Sequence, residues 1–233
     1  LTSLMDMSAG DQHTCALGFQ GISCWGDSKY GKLRVPDELS NPSAISAGGD
    51  HSCAIDDFGI TCWGDSRLGR LNAPENIVNP LKVSAGGSHS CALDEQGVTC
   101  WGDSSLGKTL VPKNLANPWA ISAGKNHTCV IDDHGVTCWG DSTLGRLSVP
   151  DGIINPRAIF AGDSHTCVLE DRGATCWGEN RMGRTAVPDS LINPTHISVG
   201  GSHTCASGDN GIVCWGDGRL GRTSIPAHLT SKN

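Results

Sequence analysis

The chain has 233 residues, enough for one large domain or two small ones, and includes 12 Cys, 31 Gly, 11 Pro and 7 Trp. A formal net charge of −7 argues against a nucleic-acid binder, and no stretch approaches the ~18 consecutive apolar residues of a membrane span. With 37% hydrophobic and 18% charged residues, the chain is neither disordered nor a coiled coil. It opens at Leu1 without a charged-then-apolar leader and reads as a mature or trimmed product.

The cysteines set the architecture. Cys15, Cys53, Cys91, Cys129, Cys167 and Cys205 recur at a step of 38 residues, and Cys24, Cys62, Cys100, Cys138, Cys176 and Cys214 keep the same step. Six His, from His13 to His203, and six Trp, from Trp25 to Trp215, follow it too. Six ungapped units, at about 4–41, 42–79, 80–117, 118–155, 156–193 and 194–231, leave no room for a second domain. A single propeller domain over 1–233 is therefore expected.

In chain order, the second unit shows the pattern. Residues 44–47 read as a strand, a Gly48-Gly49-Asp50 turn follows, and 51–55 form the next strand. A hairpin at Asp56-Asp57-Phe58-Gly59 leads into 60–63, then a Gly64-Asp65-Ser66 turn. Residues 71–74 form a fourth, Pro-ended and edge-like segment. No run supports a ten-residue amphipathic helix. Four short antiparallel strands per repeat predict an all-β, closed six-bladed β-propeller, since closure removes exposed sheet edges.

The recurring Ala-Gly-Gly-x-His-[Ser/Thr]-x-Ala-Leu…Gly-Val-x-x-Trp-Gly pattern resembles repeats of the regulator-of-chromosome-condensation family. The Val-Pro-Asp/Lys-x-Leu segments and the short unit resemble the β-lactamase-inhibiting propellers within it. The resemblance spans the chain and implies a propeller, in a family that includes exchange factors, inhibitors and scaffolds. Two departures stand out. The family's Trp-Gly-x-Asn-x-x-Gly-Gln-Leu-Gly is here Trp-Gly-Asp-Ser-x-Leu-Gly-[Arg/Lys], and each unit gains a Cys pair. No insertion is long enough for the wedge that the nuclear exchange factor uses on its GTPase.

Cys53 and Cys62 flank a hairpin turn and face each other if the turn centres on Asp57-Phe58, so one disulfide per unit is expected: 15–24, 53–62, 91–100, 129–138, 167–176 and 205–214. Closing such a ten-residue loop contributes roughly 2.5–3 kcal/mol in the chain-entropy model. The metal alternative, His-x-Cys-x8-Cys, lacks the tight Cys spacing of structural zinc, and no metal or cofactor is expected. Six disulfides imply a secreted, extracellular protein.

The repeat His are expected to bond backbone groups at their strand starts, and the repeat Trp to pack between blades with N–H on a backbone acceptor. His134, His196 and His228 read as surface residues. An acid precedes a base by five residues in every unit, as Asp27/Lys32, Asp65/Arg70, Asp103/Lys108, Asp141/Arg146, Glu179/Arg184 and Asp217/Arg222. Loop-bracing ion pairs explain this pattern, each contributing about 0–1 kcal/mol if exposed. Candidate partner contacts are Lys29, Arg67, Arg70, Arg146, Arg181, Arg184, Arg219 and Arg222. Hairpin tips and linkers place acids on one face of the disc, opposite a mixed-to-basic face. Asn126-His127-Thr128 is an acceptor sequon, so Asn126 is a candidate glycosylation site.

No nucleophile stands beside a base, and no phosphate loop, dinucleotide fingerprint or EF-hand is present. The chain reads as a non-enzymatic binding or scaffolding propeller for a protein partner or its own copies. The alternative is a multivalent lectin with one carbohydrate site per blade.

Overall fold

A computed structural model describes residues 4–226 and 229. Among these, eighteen strands form six separate antiparallel sheets of three strands each. In the first unit they are β1 (Leu4–Ala9), β2 (His13–Gly18) and β3 (Gly21–Gly26). In the second they are β4 (Ala44–Ala47), β5 (His51–Asp56) and β6 (Gly59–Gly64), and the step carries through to Gly211–Gly216. The hairpin turn falls on Asp57-Phe58, so Cys53 pairs with Cys62 in register and the same facing pair recurs in every unit. All six expected disulfides are present, with Cα atoms 4.0–4.1 Å apart, and no cysteine is free.

Among the described residues, the fourth strand expected in each unit does not form. In residues 71–74, the Asn72 N–H turns back to Gly69 O and the Ala73 N–H to Leu71 O, while Pro74 has no N–H to offer a ladder. The segment instead covers the joint between units: Val35 and Leu39 pack on the first joint, Ala73 and Ile77 on the second.

The hydrophobic core is divided among these joints. Cys15 and Leu17 of the first unit pack against Ile45, Ala54 and Trp63 of the second. Four further clusters repeat this pattern down to Cys167 and Leu169 against Ile197, Ala206 and Trp215. Each of the four inner blades thus buries one apolar face on the blade before it and one on the blade after it. The first strand of each unit is innermost. The Ala47 N–H donates to Ser8 Oγ and the Ala85 N–H to Ser46 Oγ, both at 2.9 Å, so serines satisfy the inner-strand donors across joints. The glycine turns that follow the first strand of all six units line a central cavity of about 570 Å³.

Closure of the ring is not seen among the described residues. Five joints carry the repeated contacts, but among the described residues none of these bonds links the sixth unit to the first. Trp25 is 51% exposed where its five counterparts are 5–6% exposed, and Met7 is 58% exposed where Ile45, Ile159 and Ile197 are buried. The opposing edge is less apolar than its equivalents: Ser207 stands where the other units have Leu or Ile.

Candidate interaction face

Each third strand ends at a glycine with positive φ, such as Gly64 at 111°, and the chain enters a short 3-10 turn. All six acid–base pairs form within these loops, with Lys32 Nζ 2.9 Å from Asp27 and Lys108 Nζ 2.6 Å from Asp103. Arg70–Asp65, Arg146–Asp141, Arg184–Glu179 and Arg222–Asp217 complete the set. They are not the exposed braces expected. The side chains of Lys32, Arg70, Lys108 and Arg146 are at most 8% exposed, because the next blade's Trp covers them. Trp63 Nε1 donates to the backbone oxygen of Lys32 at 3.1 Å, and the same bond recurs in the other four joints.

The eight candidate contact bases therefore divide. Arg67, Arg181 and Arg219 have side chains 63–77% exposed, and Lys29 is exposed with them. Arg70, Arg146 and Arg184 are largely covered, and Arg222 is exposed. Arg67 clasps Asp65 through Nε and Nη2 at 2.9 and 2.6 Å, which holds the Asp65 carboxyl down at about 2. The Arg67 guanidinium also lies 4.7 Å above the Tyr30 ring.

A feature that sequence reasoning missed sits at the tips of these turns. Tyr30, Leu68, Leu106, Leu144, Met182 and Leu220 all have φ near 60°, the left-handed region that favours glycine. Every one is at least 53% exposed. One large apolar side chain per unit thus projects from the same loop, forming an apolar crown beside the exposed bases. The available signal was an apolar residue before the loop glycine in every unit, where a solvent turn would use a polar one.

Five of the six repeat His bridge blades rather than bonding backbone. His51 Nε2 lies 2.7 Å from Ser90 Oγ, and His13, His89, His127 and His165 meet the next unit's Ser or Thr hydroxyl in the same way. Burial first, then the neighbouring cation (Arg70, Lys108 or Arg146), holds His51, His89 and His127 at about 3. His134 and His196 are exposed, and His228 lies outside the described residues. Asn126 is half-buried, and its backbone oxygen accepts from the Asp141 N–H.

Hairpin tips and linkers meet at the opposite end of the sheets. Asn41 Nδ2 donates to Asp57 Oδ2 at 2.6 Å, and Asn117, Asn155 and Asn193 bind their tip acids likewise. The first tip acid is less exposed than expected, since Asp94, Asp132 and Glu170 are buried and accept linker N–H groups.

The regulator of chromosome condensation (RCC1) repeat matches residues 6–32, 81–108, 120–146 and 157–184. Prp20p from Saccharomyces cerevisiae superposes with a TM-score of 0.81 at 17% identity, over 98% of this chain and 75% of its own. The CRINKLY WD40 ectodomain of the Arabidopsis thaliana receptor kinase ACR4 gives 0.77 at 26% identity, over 99% and 84%. The ectodomain of the Physcomitrella patens receptor kinase CR4 gives 0.76 at 23%, over 97% and 67%. A sequence search of curated proteins gives no match. The RCC1 repeat is thus recognised in four of the six units, and the six repeating sheets resemble the blades of RCC1-like propellers.

Proposed function

We propose that the chain is a secreted, non-enzymatic binding or scaffolding propeller that engages a protein partner through its crowned face. The observation that carries this reading is the crown itself. Six large side chains held at positive φ, all more than half exposed, keep a conformation that costs about 1–2 kcal/mol per residue. Strain retained in every unit, together with apolar surface left in water, marks a contact surface more readily than a structural one. The adjacent Lys29, Arg67, Arg181 and Arg219 favour a partner with an acidic rim. That partner is a protein or the acidic hairpin face of another copy. Six disulfides and the likeness to receptor ectodomains support the extracellular placement. The structural neighbour Prp20p is described by its binding to Gsp1p and histones, which supports a protein as the class of ligand. A glycan on Asn126 fits the same secreted setting.

The test is sedimentation velocity from low to high salt, paired with recovery of secreted proteins on immobilised native chain. The triple variant Leu68→Ser, Leu106→Ser, Leu144→Ser serves as the comparison. Association that weakens with salt and is lost in the variant supports the proposal. An unchanging monomer, with identical recoveries for both proteins, overturns it.

A further inference from the structure

On the crowned face, a cleft of about 560 Å³ runs between the fourth, fifth and sixth units. Its wall holds Lys125, Arg146, Arg184 and Arg222 against Asp163 and Glu179. Two of the four cations, Arg146 and Arg222, are also paired with Asp141 and Asp217 just outside the wall, at 2.6 and 2.9 Å. The corresponding bases of the first three units are Lys32, Arg70 and Lys108, so consecutive arginines occur only here.

The way these arginines are bonded matters more than their number. Arg146 uses Nη1 for Asp141 Oδ2 at 2.6 Å and Thr143 Oγ1 at 2.7 Å. Arg184 uses Nη1 for Glu179 and, at 3.1 Å, for Ser164 Oγ. In both residues Nε is buried and has no partner, and among the described residues no bond reaches the Nε–Nη2 edge. That edge is the parallel pair of N–H groups with which Arg67 and Arg219 clasp a carboxylate. A guanidinium left half-bonded in a partly desolvated cleft leaves donors that require acceptors. With side chains only 8% and 11% exposed, both are held in place by their existing bonds. A planar or tetrahedral oxyanion has the oxygen spacing that such forks match. Lys125, 51% exposed and 3.6 Å from Asp163, adds a point charge at the rim.

We propose that this cleft binds a small oxyanion, a phosphate, sulfate or carboxylate group, through the free edges of Arg146 and Arg184. The site is independent of the protein-partner reading, because its ligand is a small ion rather than a macromolecular surface. Either can fail without the other.

The experiment is calorimetric titration of the native chain with inorganic phosphate, sulfate and citrate in low-salt buffer, with chloride as the reference ion. The expected result is one saturable site per chain for at least one of the three. Arg146→Lys and Arg184→Lys keep the charge but lose the fork, and each should weaken binding at least about tenfold. Lys113→Gln, at an exposed position outside the cleft, should leave affinity within about twofold. A thermal melt of each variant verifies that it is folded. Equal affinity in the folded lysine variants would show only a diffuse charge field and overturn the proposal. So would the absence of saturable heat with all three anions.

Discussion

Trp101 donates its indole Nε1 to the backbone oxygen of Arg70 at 3.0 Å, and the Arg70 guanidinium in turn reaches Asp65 at 3.3 Å within its own loop. One residue of the preceding unit thus presents a backbone acceptor to the next blade while its charged end closes the loop beneath. The acid–base step of five residues is therefore the floor of a joint. The joint is the unit of stability in this fold, since each blade has core contacts only with its neighbours.

Trp101→Ala should cost about 3–5 kcal/mol, as expected for removing a buried indole. Trp25→Ala should cost less than about 1 kcal/mol, because its ring lies open at the seam. Urea unfolding of the two variants checks the contrast. Iodide quenching should likewise reach mainly Trp25 and Trp119, the two tryptophans more than 40% exposed. Equal costs for the two substitutions would mean that the ring closes in solution.

Stability should fall with acid earlier than carboxylates alone would dictate. Unfolded imidazoles titrate near 6.5, whereas His51, His89 and His127 are held at about 3 and His165 at about 4. The folded values lie below the unfolded one, so the unfolded chain binds more protons between them. Stability is thus full above pH about 6.5 and is lost as pH falls toward 3–4. The Asp65 carboxyl, held at about 2, adds its loss only below about pH 4. His89→Gln, which keeps a partner for the Thr128 hydroxyl, should make the slope shallower by one proton per molecule. Denaturant midpoints measured from pH 7.5 to 4 check this, and a flat profile would count against it.

Relieving the crown should separate stability from binding. Leu106→Gly removes a side chain held at φ 59°, so the variant should be as stable as the parent or up to about 1 kcal/mol more stable. Its association with the partner should weaken. Thermal melts and binding isotherms on the same sample test the pair, and a marked loss of stability would show that Leu106 is structural.

Removing one disulfide should cost more than its loop entropy. Cys91 is fully buried, packs with Val130 and Trp139 of the next unit, and lies 3.7 Å from Thr128 Oγ1. Cys91→Ala with Cys100→Ala should cost about 3–5 kcal/mol, above the roughly 2.7 kcal/mol of a ten-residue loop. Urea unfolding measures it, and a cost below about 2 kcal/mol would remove the packing contribution.

The sequence by itself determined what is local and repeated. Strand placement, the hairpin at Asp57-Phe58 and the facing Cys53–Cys62 pair follow from period-two alternation and turn chemistry, which act within ten residues. The ion pairs were legible for the same reason, since five residues of loop bring Asp65 and Arg70 together. Only the tertiary structure decided which groups meet across joints. His51 finds Ser90 and not its own backbone, and Arg70 lies buried under Trp101 rather than in solvent. Residues 71–74 stay out of the sheet because Pro74 and local turns absorb their hydrogen bonds. The seam was equally out of reach, because closure depends on the summed curvature of six blades and on whether Ser207 and Trp25 present matching surface. That is a property of the whole arc, and no single repeat encodes it.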